Sequence, residues 1–176
     1  MSSSKLYCII DRSGSMAEYG KPMLMVNLLR YIRQFTNQRN INTRYFIWQE
    51  DISEINWSED QDVELPEAGK SADIDAVCSL AKSYPEATLM ILSDGYFELK
   101  SEQRHLLTQL DNLYIVSVGG DANLVQLNTL SEHSYHAEKI DQALHTLSRS
   151  KVVTVPPLSR VSMKATLFDE DDEDEW

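Results

Sequence analysis

Three short segments carry the residue types able to do chemistry. Asp11-Arg12-Ser13-Gly14-Ser15 offers a carboxylate and two hydroxyls within five positions. Ser93-Asp94-Gly95 offers a second carboxylate and another hydroxyl, and between the two Gly69-Lys70-Ser71-Ala72-Asp73 adds Ser71 and a further acid. None of the three contains His or Cys. Hard oxygen donors at short spacing suit Mg²⁺, with Mn²⁺ or Ca²⁺ as alternatives, and not zinc. Ser13 and Ser15 stand two apart on a turn kept open by Gly14, so both hydroxyls can aim at one point. Neutral hydroxyl ligands leave most of the cation's charge uncompensated, and a carboxylate from outside is then the natural last ligand. A plainer use exists for the same residues. Asp and Ser often satisfy backbone donors where a strand turns into a helix, and Asp73 has the position of an ordinary helix N-cap.

These segments need elements to hold them. Leu6 to Ile10 is a continuous apolar run ending at Asp11, the pattern of a buried parallel strand. Pro22 opens a helical pattern, with Met23, Val26, Leu29, Ile32 and Phe35 forming one apolar stripe that ends near Asn37. Thr43 to Gln49 reads as a strand, with a weaker hairpin partner through Ile52, Ile55 and Trp57. A polar loop with Pro66 and Gly69 follows over residues 58–71. Ile74, Val77, Cys78 and Ala81 line a helix that Pro85 terminates, and Thr88 to Leu92 is a second apolar strand running into Ser93-Asp94-Gly95. A helix over Leu99 to Leu110 precedes a third strand, Leu113 to Val118, which Gly119-Gly120 stops. A short helix over Val125 to Leu130, an edge strand at Ser134 to His136 and a last helix over Ile140 to Leu147 complete the pattern. Apolar strands alternating with amphipathic helices predict an α/β fold. The sheet is Rossmann-like, doubly wound and mostly parallel, with helices on both faces and one antiparallel edge strand. Ligands of such sheets bind beyond the carboxyl ends of the strands, and all three segments are expected on that one edge of the sheet.

Asp-x-Ser-x-Ser after an apolar strand, a downstream Gly-x-Ser/Thr-type loop, and Leu-Ser-Asp-Gly after a later strand together resemble the von Willebrand factor A (vWA) domain family. They match the three segments of its metal-ion-dependent adhesion site (MIDAS). The resemblance covers roughly residues 4–149, including the element order and the Val-Ser-Val-Gly-Gly close of the third strand. It implies that Ser13 and Ser15 bind a metal directly, and that Asp11 and Asp94 do so directly or through water. The middle segment departs from the family's Gly-Gly-Thr-Asp-Ile form. Matching Asp73-Ile74 puts Ala72 at the threonine; matching Gly69 with one inserted residue puts Ser71 there as a ligand. The chain is similar to small stand-alone prokaryotic vWA proteins, with the domain expected over residues 1–150.

Composition bounds the function. At 176 residues, 42 % of them hydrophobic, the chain is long enough for a single well-buried core. Its apolar runs fall far short of the roughly 20 residues that span a bilayer. The N-terminus lacks an apolar leader, and Cys8 and Cys78 sit unpaired within apolar segments. Both features predict a cytoplasmic setting. The net charge is −12, of which seven acids lie in residues 169–175, leaving a body near −5. A second acidic stretch, Glu50 to Glu67, holds eight acids and no Lys or Arg. Such a surface repels a phosphate backbone, which argues against nucleic acid, and the short apolar runs argue against a membrane.

Enzyme signatures are missing. Gly69-Lys70-Ser71 lacks the upstream glycine of a phosphate-binding loop, and Arg12-Ser13-Gly14-Ser15 is not a Gly-x-Ser-x-Gly elbow. A phosphatase built on Asp11 would want a carboxylate where Ser13 stands. The four histidines, His105, His133, His136 and His145, show no ligand spacing.

The expected function is therefore non-enzymatic: a metal-dependent protein–protein interaction module, an adaptor or scaffold. A partner Asp or Glu would complete the shell of the held cation, and the Trp48-to-Gly69 segment, its acids expected to flank the site and repel wrong partners, would read the partner's shape. Two alternatives stand beside it. One is a metal-dependent hydrolase or phosphoryl-transfer enzyme. The other is a structural vWA subunit with a degenerate metal site, recognising partners through residues 151–176. That segment, expected to be a flexible tail, contains Pro156-Pro157, Phe168, the acidic run and Trp176. Its expected docking surface is the basic set Arg30, Arg33, Arg39 and Arg44, on its own or a neighbouring subunit.

Overall fold

A computed structural model of the chain describes residues 5–150. The expected tail, 151–176, lies outside the described residues. The strands are β1 (Lys5–Asp11), β2 (Asn42–Trp48), β3 (Ile52–Ile55), β4 (Thr88–Ser93), β5 (Leu113–Ser117) and β6 (His133–His136). The helices are α1 (Lys21–Gln38), α2 (Ile74–Ser83), α3 (Ser101–Thr108), α4 (Leu124–Asn128) and α5 (Ile140–Ser150), and short 3-10 turns cover Gly14–Ala17 and Ala137–Lys139.

The strands form one sheet in the order β3-β2-β1-β4-β5-β6. Every pairing is parallel except that of β3 with β2, so the antiparallel edge expected from the 52–57 segment is real. β4 and β5 are buried along their whole length, and β1 from its second residue on, because both faces are covered. Alternation assigns the faces. Leu6, Cys8 and Ile10 of β1 meet Met25, Leu29 and Ile32 of α1 and Leu144 and Leu147 of α5. Tyr7 and Ile9 point the other way, into a second core with Val77 of α2, Leu107 of α3 and Leu127 of α4. Both thiols are buried and free.

The strand order has one consequence for function. From β1 the chain leaves through α1 on one face of the sheet, and from β4 it leaves through α3 on the other. The carboxyl ends of these two neighbouring strands therefore open a crevice, the topological switch point of a doubly wound sheet. Asp11 ends β1 and Asp94 directly follows β4, one on each side of it.

The acidic stretch is tied down along the molecule. Asp62 forms an ion pair with Arg30 of α1, and Arg33 donates to the Gln61 carbonyl at 2.8 Å. Val63 is buried in the α1-side core, and Trp57 donates to the Glu64 carbonyl at 3.1 Å. At the far end of β2, Glu54 pairs with Arg44, which lies over the rings of Tyr7, Phe46 and Tyr84. Arg30 and Arg44 are thus already neutralised, and Arg39 stacks on Phe35. Among the described residues, no helix is long and apolar enough to cross a membrane.

Candidate metal centre

Asp11 is fully buried, and each of its oxygens has a partner. Oδ1 accepts from the Ser13 backbone N–H at 2.9 Å, and Oδ2 accepts from the Ser93 hydroxyl at 2.6 Å. The carboxylate thereby shapes the turn after β1 and ties it to the end of β4. Burial pushes its pKa above the usual aspartate range; the bonds from Ser93 and Ser13 pull it back, and the charge of Asp94 adds to the rise. Ser13 occupies the N-cap position of the first 3-10 turn, yet its hydroxyl makes no capping bond. Its Oγ instead lies 3.2 Å from Ser15 Oγ. Both serines line an open cleft of about 770 Å³, whereas Asp11 and Asp94 do not. The plain capped-turn role fits Asp11 and leaves the two hydroxyls unexplained.

Asp94 is also fully buried. Its Oδ1 accepts from the Tyr96 backbone N–H at 3.2 Å and its Oδ2 from the Lys21 ammonium at 2.9 Å. Gly95 follows with φ +81°, where an added Cβ would stand 2.8 Å from Leu127 Cγ, so only glycine lets the chain turn here. Lys21, the first residue of α1, is only 1 % exposed, although it carries a charge. Its ammonium also donates to the Ser15 carbonyl at 3.1 Å and to Asp121 Oδ2 at 3.0 Å. Burial alone would lower its pKa; the bonds to Asp94 and Asp121 outweigh that and hold it above an ordinary lysine.

The third segment closes the cleft on the β2 side. Gly69 N–H donates to the Arg12 carbonyl at 2.7 Å, and Gly14 N–H donates to the Lys70 carbonyl at 3.3 Å. Ser71 and Ala72 both line the cleft, Ser71 exposed and Ala72 packed into the α2-side core. Ser71 thus brings the only hydroxyl of this segment to the same opening as Ser13 and Ser15. Asp73 accepts from Asp75 N–H at 2.9 Å and serves as the N-cap of α2. Of the eight acids between Glu50 and Glu67, only Glu50 reaches the cleft, so the expectation that this stretch flanks the site is corrected. The ion pairs of Asp62 and Glu54 hold those acids elsewhere.

The donor set suits a hard cation. Neighbouring ligands of an octahedral Mg²⁺-sized ion stand about 3 Å apart, close to the 3.2 Å between the two serine oxygens. Among the described residues no cluster of three or more His, Cys, Asp and Glu side chains converges, so hydroxyls would have to supply much of the ligation.

Lys21 and Asp121 escaped the sequence reading. A lysine ahead of a helix-opening proline looks like surface. Asp121, however, follows the third apolar strand just as Asp11 and Asp94 follow theirs. Applying the strand-end rule to Val118-Gly119-Gly120-Asp121 would have found it.

Comparison with solved structures gives the fold class: this is a vWA-like fold. Manganese-loaded TRAP protein of Plasmodium vivax superposes with a TM-score of 0.64 at 13 % identity, covering 81 % of this chain and 71 % of that one. BatB of Bacteroides thetaiotaomicron gives 0.56 at 10 % identity, covering 83 % and 99 %. Proximal thread matrix protein 1 of the mussel byssus, with a zinc-occupied MIDAS motif, gives 0.55 at 14 % identity, covering 84 % of this chain. The chain spans 45 % of that mussel protein. No family model and no curated protein matches the sequence.

Proposed function

We propose that this chain is a metal-dependent protein-interaction module. A divalent cation would be held by the Ser13 and Ser15 hydroxyls, with Ser71 from the facing loop and with Asp11 and Asp94 behind them. When bound, the cation supplies a Lewis-acidic position facing the cleft, available to an Asp or Glu of a partner protein. The observation that carries this reading is the serine pair. Two hydroxyls 3.2 Å apart, without capping duty, face an open cleft above two buried carboxylates.

The surroundings support a protein partner. Tyr19, Met23, Tyr96 and Val125 are 84 %, 69 %, 51 % and 81 % exposed, and all four lie on loops or first helical turns at the carboxyl end of the sheet. Exposed apolar side chains around a charged centre are the composition of an interface core. The buried free thiols support a cytoplasmic setting.

Calorimetric titration of Mn²⁺ and Mg²⁺ tests the site. Wild type should bind one equivalent, and the Ser13→Ala, Ser15→Ala double variant should lose affinity at least tenfold while keeping its circular dichroism. Equal binding by both proteins would overturn the assignment. A wild type that binds neither metal would favour recognition independent of metal, for which the pairing of Asp94 with Lys21 is the one structural argument.

A further inference from the structure

The ammonium of Lys21 has three protons and three acceptors, each supplied by a different strand-end loop: Ser15 after β1, Asp94 after β4 and Asp121 after β5. A burial this complete for lysine is rare unless the charge is paired. Here the fold makes room for it. Gly119 has φ +98°, and an added Cβ would stand 2.7 Å from Lys21 Cε and 2.9 Å from Asp121 Oδ1. The Tyr96 ring lies over the ammonium, 5.9 Å from nitrogen to ring centre, and the Tyr96 hydroxyl donates to the Asp121 carbonyl at 2.6 Å. Lysine, glycine, tyrosine and two aspartates thus form a built cation pocket directly behind the serines.

From this we infer that Lys21 is the resident counter-ion of the centre, holding Asp94 in place without metal and opposing the entry of a divalent cation. The inference rests on the metal reading above and adds a regulator to it. The two site aspartates contribute two negative charges, and Lys21 already cancels one. A divalent ion arriving beside them meets one uncompensated carboxylate and a nearby positive charge, so its affinity is low and its remaining charge high. A partner's carboxylate then restores the balance, which links metal occupancy to partner binding. Asp121, 44 % exposed at its side chain, sets how strongly Lys21 is drawn away from Asp94.

Titration of the full-length chain with Mn²⁺ alone, by calorimetry, separates this role from a merely structural one. Lys21→Met keeps the length of the side chain and removes its charge; it should bind Mn²⁺ at least tenfold more tightly than wild type. Asp121→Asn leaves Lys21 to Asp94 and should bind about threefold or more weakly. A structural role would weaken binding in both variants, so opposite signs are the signature. Thermal melts add a second readout. Lys21→Met should melt lower than wild type in chelator and gain more from Mn²⁺ than wild type does.

A folded Lys21→Met protein that binds Mn²⁺ no better than wild type overturns the inference and leaves the metal reading standing. Should Lys21→Met fail to fold, Lys21→Gln, which keeps a polar donor toward Asp94 without the charge, decides: tighter Mn²⁺ binding supports the inference and unchanged or weaker binding overturns it. Absence of Mn²⁺ binding in wild type and in both variants removes the metal reading and this inference together.

Discussion

Arg12 shows how much one side chain at this centre has to do. It is 5 % exposed and donates through Nε and Nη2 to the Pro66 carbonyl at 3.0 and 2.7 Å, fastening the 58–71 loop beside the β1 turn. Its third nitrogen, Nη1, is buried without a hydrogen-bond partner among the described residues. Burial lowers its pKa while the charge of Asp11 opposes the shift; a guanidinium stays protonated regardless. Two charge-assisted bonds therefore outweigh one orphaned donor. Arg12→Ala should cost about 2 kcal/mol in urea unfolding. A loss within about 0.5 kcal/mol, the range of an ordinary surface change, would mean other contacts hold the loop. At this scale the sequence was only half legible. Asp11, Ser13, Ser15 and Asp94 could be picked out because each sits where an apolar strand stops, but Arg12 and Lys21 are long cations whose burial depends on acceptors 54 and 73 positions away.

Elements were easier to read, for a physical reason. β1, β4 and β5 are buried on both faces, so their sequences are nearly continuous apolar runs that mark themselves. The 3-10 turn over Gly14–Ala17 was not legible, since Ser-Gly-Ser-Met looks like open loop until Met16 is seen fully buried in the α1-side core. The acidic stretch was misread as a flank of the site because its charge suggested solvent and hid its anchors. One of those anchors is testable by pH. The hydrogen bond from Arg30 holds the Asp62 carboxyl at about 2, below the ordinary 3.8. A depressed aspartate contributes stability above its unfolded value and loses it as pH falls through the folded one. Asp62→Asn should therefore flatten the acid-unfolding curve between pH 3.8 and about 2. The change at neutral pH should be small, because the pair is solvent-exposed. An unchanged acid limb would show that the ion pair does not persist in solution.

For the whole molecule, two cores back to back on one sheet leave no thiol at the surface. Cys8 lies in the α1-side core and Cys78 in the α2-side core, 0 % and 5 % exposed. Burial also raises both thiol pKa values, which lowers the reactive thiolate fraction further. A disulfide reagent should find no fast thiol in the native chain and two after denaturation. One fast equivalent at Cys78 would reveal that the α2 face opens independently. Of the four cations expected to receive the acidic C-terminal run, Arg30 and Arg44 make ion pairs within residues 5–150.

The two outer strands of the sheet, β3 and β6, are four residues each. Backbone groups along a longer, flatter border would invite another chain to add itself as a seventh strand, the route taken by many peptide ligands and by many aggregates. Here Glu54 puts a charged side chain on one border, and His133 and His136 flank the other. So brief a border offers little template for lateral growth. Among the described residues, the sheet therefore offers a second chain more contact at the loops beyond its strand ends than along its borders.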